Sequence, residues 1–343
     1  TTAARRRRNI LARRRMSDSR AQPNAAALDV SVIIAAWNAA TSIERSVASA
    51  LASANVKLEV IVVDDASPDA TFEILSRIAA ADSRVVTRRL PANAGPSVAR
   101  NLGISLAHGR YVAVLDADDT MRSDRLAKLV SLAESSGADI VVDNMMSVDE
   151  SGAPVGANPF LKSPRFVRSC NIDLETWISF NNPLADEDTL GYLKPLISRQ
   201  TLLKTGLAYD PSLRNSEDYY LVAHLLAAKA RMTYSPDADY VYTRSTGSTS
   251  HRLKPSQTRA WLDAEQRFVA RHGANLSKGE LSALARRGRT LRNVDKLIAV
   301  TVAMKTRKFG ESARLMAADL RGAAYTVRML AKVAMNKIGR AHV

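Results

Sequence analysis

Between Val30 and Val142 short apolar runs alternate with segments of helical period, and that alternation restricts the chain to a small set of folds. The runs Val30–Ala36, Leu58–Val63, Val85–Arg88, Tyr111–Leu115 and Ile140–Val142 have the length and β-branched content of strands. Between them, Ser42–Ala54, Ala70–Ala80, Pro96–Ala107 and Ser123–Ser135 space their apolar residues as helices do. Runs this apolar suit strands buried on both faces. The pattern therefore predicts an α/β fold, a mostly parallel sheet covered by helices on both faces, with ligands at the carboxyl ends of the strands.

Beyond residue 150 the alternation stops. Ser151 to Pro164 is rich in Gly, Pro and Asn and predicts a long loop, and a less regular half follows. From about Pro255 the chain is helix-forming and basic, with Leu297, Ile298, Val300, Val302 and Met304 set between Arg and Lys residues. At the other end, Arg5 to Arg8 and Arg13 to Arg15 make residues 1–28 a basic flexible arm, within which Met16 is a candidate natural start. The expected division is thus 1–28 as arm, 29–255 as an α/β domain and 256–343 as a basic α-helical extension.

The charge balance, 49 Lys and Arg against 34 Asp and Glu for a formal +15, favours polyanionic partners or an anionic membrane surface. No zinc finger or RNP-type sheet motif is present and the excess sits at the two ends, so no specific nucleic-acid partner is expected. Cys170 is the sole cysteine, which excludes an intramolecular disulfide or a multi-cysteine zinc site and points to a reducing, cytoplasmic setting. No apolar run reaches the roughly 18 residues of a membrane span, and the first 28 residues lack the apolar segment of a signal peptide. A protein not integral to a membrane is expected.

Carboxylates gather where such a sheet binds its ligand. The second strand ends Val62-Val63-Asp64-Asp65-Ala66-Ser67, so that Asp65 can accept a hydrogen bond from a base or ribose; equally, Asp65 or Ser67 can cap the next helix. The fourth ends Leu115-Asp116-Ala117-Asp118-Asp119-Thr120, and alternation sets Asp116 and Asp118 on one side. Three adjacent acids repel unless a hard cation neutralises them, and oxygen ligands suit Mg²⁺ or Mn²⁺; a solvated acidic turn is the alternative. Asp116, Asp118 and Thr120 also match the Asp-x-Asp-x-Thr loop of haloacid-dehalogenase-like phosphatases, but there the motif follows the first strand, and here three strand-like runs precede it.

Taken in order, Val30 to Asn38, Val62 to Ser67, Asn93-Ala94-Gly95, Ala99 to Gly103 and Leu115 to Asp119 resemble the family 2 glycosyltransferases of the GT-A fold over about residues 29 to 250. Within that family the chain resembles bacterial succinoglycan and exopolysaccharide glucosyltransferases. The resemblance implies a Rossmann-like nucleotide-diphospho-sugar domain. It places Ala35, Trp37 and Asp65 around the nucleotide base, with Trp37 standing where tyrosine is commoner and able to stack. It places Asn93, Gly95 and Arg100 beside the diphosphate and makes Asp116 and Asp118 the metal motif, Asp118 the direct ligand. Asn215-Ser216-Glu217-Asp218 resembles the family's Glu-Asp motif, which makes Asp218 the catalytic base; alone, the pair reads as acids at a helix N-terminus. Tyr242 to His251 resembles a late loop near the phosphates. It offers Arg244 and Ser248 to the donor and His251 as a further metal ligand, although His251 is otherwise a surface histidine.

The implied reaction is inverting transfer of a hexose, glucose, from a UDP-sugar to a lipid-linked oligosaccharide. The setting is the inner face of the cytoplasmic membrane, with other polysaccharide-assembly enzymes as neighbours. A sugar-1-phosphate nucleotidyltransferase shares the sheet and the acids but opens with a Gly-rich basic loop, which Ala35-Ala36-Trp37-Asn38 does not supply. A non-enzymatic membrane or nucleic-acid binder explains the basic ends and leaves Asp116, Asp118 and Asp218 without a purpose. In Tyr325 to Ile338 apolar residues at helical spacing alternate with Arg328, Lys332 and Lys337, which fits either membrane contact or packing on the catalytic domain.

Overall fold

A computed structural model describes residues 28–156, 159–181, 188–244, 254–318 and 322–329. The first half follows the expected alternation: β1 (Val30–Ala36), α1 (Ile43–Leu51), β2 (Leu58–Asp64), α2 (Thr71–Ala81), β3 (Val85–Arg89), α3 (Pro96–Leu106) and β4 (Tyr111–Val114). Then come the two-residue β5 (Thr120–Met121), α4 (Arg125–Ser136) and β6 (Ile140–Val148). Strands β3-β2-β1-β4 pair in parallel. All seven residues of β2 are buried, as are all of β1 except the half-buried Ala35, as expected of strands sandwiched between helices.

Polar residues inside this sheet are satisfied. Ser31 Oγ donates to Glu59 Oε1 at 2.6 Å and accepts from the Gly109 N–H at 2.8 Å. Gly109 is obligatory, because a Cβ there would lie 2.5 Å from the Ser31 backbone nitrogen. In α3 a Cβ on Gly103 would lie 2.6 Å from Ile33 Cγ2. The bare glycine lets α3 settle onto β1, and this places Arg100, one turn earlier, over the carboxyl ends of the strands.

The sheet is mixed where a mostly parallel one was expected. After β7 (Cys170–Asn171) and α5 (Leu174–Ser179), β8 (Leu196–Ser198) enters between β4 and β6, antiparallel to both. Past α6 (Arg199–Thr205) and α7 (Glu217–Ala227), the twelve-residue β9 (Met232–Thr243) runs parallel to β6, while β5 and β7 lie antiparallel on β9. Among the described residues the result is a nine-stranded sheet of order β3-β2-β1-β4-β8-β6-β9-β5, with β7 on β9. The parallel run is interrupted where β8 inserts antiparallel between β4 and β6, and it resumes in the β6–β9 pair, which the helices between β6 and β9 connect.

The C-terminal helices α8 (Pro255–His272), α9 (Lys278–Lys305) and α10 (Phe309–Ala317) follow. A capping box between Ser277 and Glu280 starts α9. Its buried stripe, Ala283, Leu284, Arg287, Leu291 and Val294, packs on α8 and α5. Trp261 of α8 donates its indole N–H to Asn215 Oδ1 at 3.0 Å, and Tyr220 OH donates to the Trp261 carbonyl at 2.8 Å. Up to about residue 305 the expected extension is therefore joined to the α/β body through α7. Of Tyr325 to Ile338, residues 330–338 lie outside the described residues.

Candidate active site

The loops after β1 and β4, the N-terminal end of α3, the segment before β8 and the start of α7 enclose a cleft of about 460 Å³. Its size and its position at strand carboxyl ends suit a small ligand. Non-glycine residues adopt the left-handed region at two of the turns that line it, Asn38 (φ 53°) and Ser216 (φ 60°). Such strain is retained where the surrounding structure fixes a loop for a purpose. A larger cavity of about 610 Å³ beside α4 contains none of the candidate residues.

The three adjacent acids of the β4–β5 loop have three different surroundings. Asp119 is fully buried; it accepts from Tyr240 OH at 2.6 Å and from the Thr243 N–H at 2.7 Å. Burial, together with the charges of Asp116 and Asp118, raises its pKa well above the usual carboxylate range. Asp116 accepts from Arg100 Nη2 at 2.7 Å, and Lys194 Nζ lies 2.9 Å from its other oxygen. Burial acts to raise the Asp116 pKa, but Lys194 and Arg100 bring it below the ordinary value. Asp118 remains exposed to the cleft, and partial desolvation by the cleft walls and the charge of Asp116 raise its pKa.

An exposed carboxylate destabilised by a neighbouring negative charge suits a divalent cation. Asp118 fits that role, whereas both oxygens of Asp116 are engaged by cations. Among the described residues no three His, Cys, Asp or Glu side chains converge to hold a metal by themselves. One open carboxylate agrees with Mg²⁺ or Mn²⁺ chemistry, in which phosphate and water complete the shell.

Asp218 lies at the first turn of α7, beside Glu217. Its carboxylate accepts from Lys194 Nζ at 2.8 Å and Tyr209 OH at 2.9 Å, and Arg100 Nη1 lies 3.7 Å away. Arg100 also pairs with Glu217. Burial alone would raise the Asp218 pKa, but Arg100 and Lys194 hold it at about 2. The buried Arg100 and Lys194 thus join Asp116, from the first half of the chain, to Asp218, from the second. Lys194 is itself fixed, because its carbonyl accepts from Arg125 Nη2 at 2.7 Å, and Arg125 forms a fully buried ion pair with Asp143.

The remaining candidates divide. Ala35 and Trp37 line the cleft, and Trp37 is 52% exposed, its indole free to receive a flat ligand. Asp65 is buried, with its two oxygens accepting the Ala94 and Gly95 N–H groups at 2.7 and 2.8 Å. It ties the end of β2 to the turn before α3, where Gly95 has φ 95°, and neither it nor Ser67 caps α2, whose N-cap is Ala70. Asn93 accepts from Arg214 Nη1 at 2.7 Å at the cleft rim. Arg244 is exposed, its guanidinium beside Gly156 and outside the cleft lining. Ser248 and His251 lie outside the described residues.

Sequence reasoning missed Lys194, Tyr209, Arg214, Trp261 and Arg287. Arg287 of α9 is buried over the Tyr219 ring at 4.0 Å, pairs with Glu265 at 3.3 Å and lines the cleft wall. Two signals were available. Lys194 interrupts the apolar run Leu193 to Ile197, and a lysine so placed is buried only with a partner. Arg287 stands one helical step from Leu284 and Leu291 on an apolar stripe.

Residues 31–181 match the sequence model described as Glycosyl transferase family 2. The succinoglycan biosynthesis protein ExoO of Rhizobium meliloti is 35% identical over 291 residues, covering 85% of this chain and 82% of that protein. The chain belongs to glycosyltransferase family 2. Solved structures agree on its GT-A fold. S. aureus TarS in complex with UDP-GlcNAc superposes with a TM-score of 0.57 at 17% identity, over 86% of this chain and 92% of that one. The mannosyltransferase PcManGT from Pyrobaculum calidifontis, in complex with GDP-Man and Mn²⁺, gives 0.57 at 20% identity, over 99% and 92%. In this family 2 glycosyltransferase, then, the strand-end carboxylates and the α7 carboxylate face one cleft.

Proposed function

We propose that the enzyme is an inverting hexosyltransferase of exopolysaccharide assembly. It moves glucose from a UDP-sugar to a lipid-linked oligosaccharide at the inner face of the cytoplasmic membrane. The observation that carries this reading is the convergence of Asp118 and Asp116 from the β4–β5 loop with Asp218 from α7 on one cleft. A nucleotide sugar laid along the strand ends, its base on Trp37 and its diphosphate near the Asn93–Gly95 turn, brings its anomeric carbon between these two sets.

Asp218 then takes the proton of the acceptor hydroxyl as that oxygen bonds to the anomeric carbon. The bond from that carbon to the diphosphate oxygen breaks, its electron pair leaving with the nucleotide. One displacement inverts the anomeric centre. Asp118 would hold Mg²⁺ or Mn²⁺, which supplies neutralisation of the charge gathering on the diphosphate. Arg100 keeps Asp116 and the start of α7 in register, and Trp261 and Arg287 shape the acceptor side.

The kinship with a succinoglycan biosynthesis protein supports an exopolysaccharide acceptor, and the complexes of TarS and PcManGT with sugar nucleotides support the donor class. A peripheral site of action is supported by two features. Among the described residues no helix is long and apolar enough to cross a membrane. The elbow between α9 and α10 exposes Met304 and Phe309 among Lys305, Arg307 and Lys308. The test is incubation with UDP-[¹⁴C]glucose, Mn²⁺ and membrane lipids. Label in lipid supports the proposal; label released as sugar 1-phosphate only when pyrophosphate is added indicates a nucleotidyltransferase, and no label in lipid removes transfer of glucose from UDP-glucose to a lipid-linked acceptor.

A further inference from the structure

Asp218 as seen here is badly placed to act as a base. Lys194 and Arg100 both neutralise it, and a carboxylate so paired has little pull on a sugar hydroxyl proton. Lys194 carries the stronger of these contacts and is the one able to change partner. Its ammonium is a compact charge on a flexible stem, whereas Arg100 is locked among three carboxylates. Its side chain is 11% exposed and lines the cleft floor between the donor carboxylate Asp116, at 2.9 Å, and Asp218, at 2.8 Å. The backbone of Lys194 is pinned by Arg125, so only the side chain is free to shift.

We propose that Lys194 couples donor binding to activation of the base: its ammonium restrains Asp218 in the free enzyme and passes to the donor diphosphate when that group enters the cleft. The inference rests on Asp218 being the base. The entering diphosphate spreads two negative charges over more oxygens than one cation at Asp118 can contact, whereas Asp218 keeps Arg100 and the Tyr209 hydroxyl when the ammonium leaves it. The move removes a cation from Asp218 and adds one beside the leaving group, with Lys194 keeping its proton throughout. The acceptor hydroxyl thus meets an active base only after the donor has bound. Lys194 is a positioning residue towards Asp218 and a ligand towards the donor. The charged and titratable groups that face it are Asp116, Asp118, Asp218, Arg100 and Tyr192.

The decisive experiment is a crystal structure of the full chain with UDP and Mn²⁺. Expected is Lys194 Nζ about 3 Å from a phosphate oxygen and beyond hydrogen-bond distance of Asp218. A Lys194 still at 2.8 Å from Asp218 beside bound UDP overturns the coupling. Calorimetric titration with UDP and Mn²⁺ adds a second readout: Lys194→Met should weaken UDP at least tenfold and Lys194→Arg only a few-fold, while unchanged affinity in Lys194→Met refutes the proposal. The two ideas fail separately. Asp218→Asn with full transfer removes the base on which the coupling depends, whereas unchanged UDP affinity in Lys194→Met leaves that base standing.

Discussion

Replacing Arg125 by Met should be among the most damaging changes available outside the cleft. Arg125 Nε and Nη2 contact Asp143 at 2.9 and 2.8 Å, both side chains are 1% exposed, and Arg125 also stacks on the Tyr240 ring at 5.0 Å. Methionine fills much of the volume but leaves Asp143 charged and unpaired in the interior. Breaking a buried pair from one side costs about 3–5 kcal/mol. At about 2 °C per kcal/mol for a chain of this size, the melting temperature should fall by roughly 6–10 °C. The sign of the pH dependence follows from Asp143. Burial already raises its pKa and Arg125 opposes the rise. Without Arg125 the folded state binds a proton more readily than the unfolded chain, so falling pH stabilises the variant and narrows its deficit. Thermal melts by near-UV circular dichroism at pH 5 and pH 8 measure both quantities, and Arg125→Met/Asp143→Asn should recover about half of the loss. A single variant within 1 °C of wild type, or a deficit that widens towards pH 5, would refute the reasoning.

Two further outcomes follow from the same physics. Asp118→Ala should abolish Mn²⁺-dependent turnover with an unchanged melting temperature, because it deletes an exposed carboxylate and no packing; near-normal kcat would exclude Asp118 as ligand. His224 Nδ1 and His272 Nε2 lie 2.8 Å apart between α7 and α8, and burial, followed by the charges of His272 and Arg271, depresses the His224 pKa to about 4. The unfolded chain binds more protons between that value and about 6.5. Stability should therefore decline as pH falls through this window, and an equally steep decline in His224→Phe would show that the pair is not its source.

The first half of the fold was legible because its signals are local. From Val30 to Val142 every element but the two-residue β5 declares itself through period and composition, and the structure shifts their ends by up to three residues, apart from β6, which runs on to Val148. Strand β9 was illegible. Its Ser235-Pro236-Asp237 stretch reads as a turn, and the strand forms because its two ends pair with β6 across an irregular register at Asp143 to Met145. The site shows the same division. Asp116, Asp118 and Asp218 stand in motifs, so their positions could be read off. Lys194, which joins two of them, has no motif, because its partners lie 78 and 24 positions away along the chain. The basic C-terminal segment was legible only in part: charge composition cannot tell a solvated arginine from one that serves the core, and Arg287 is buried over Tyr219.

Glycosyl transfer by Asp218→Asn, measured at saturating UDP-glucose and Mn²⁺ beside UDP affinity from calorimetry, tests the central claim most directly. The amide preserves shape but cannot accept the acceptor proton, so transfer should fall by about 10²–10⁴-fold while UDP affinity stays within a few-fold of wild type. Transfer at the wild-type rate, or a wild-type enzyme that does not bind UDP, would contradict the account.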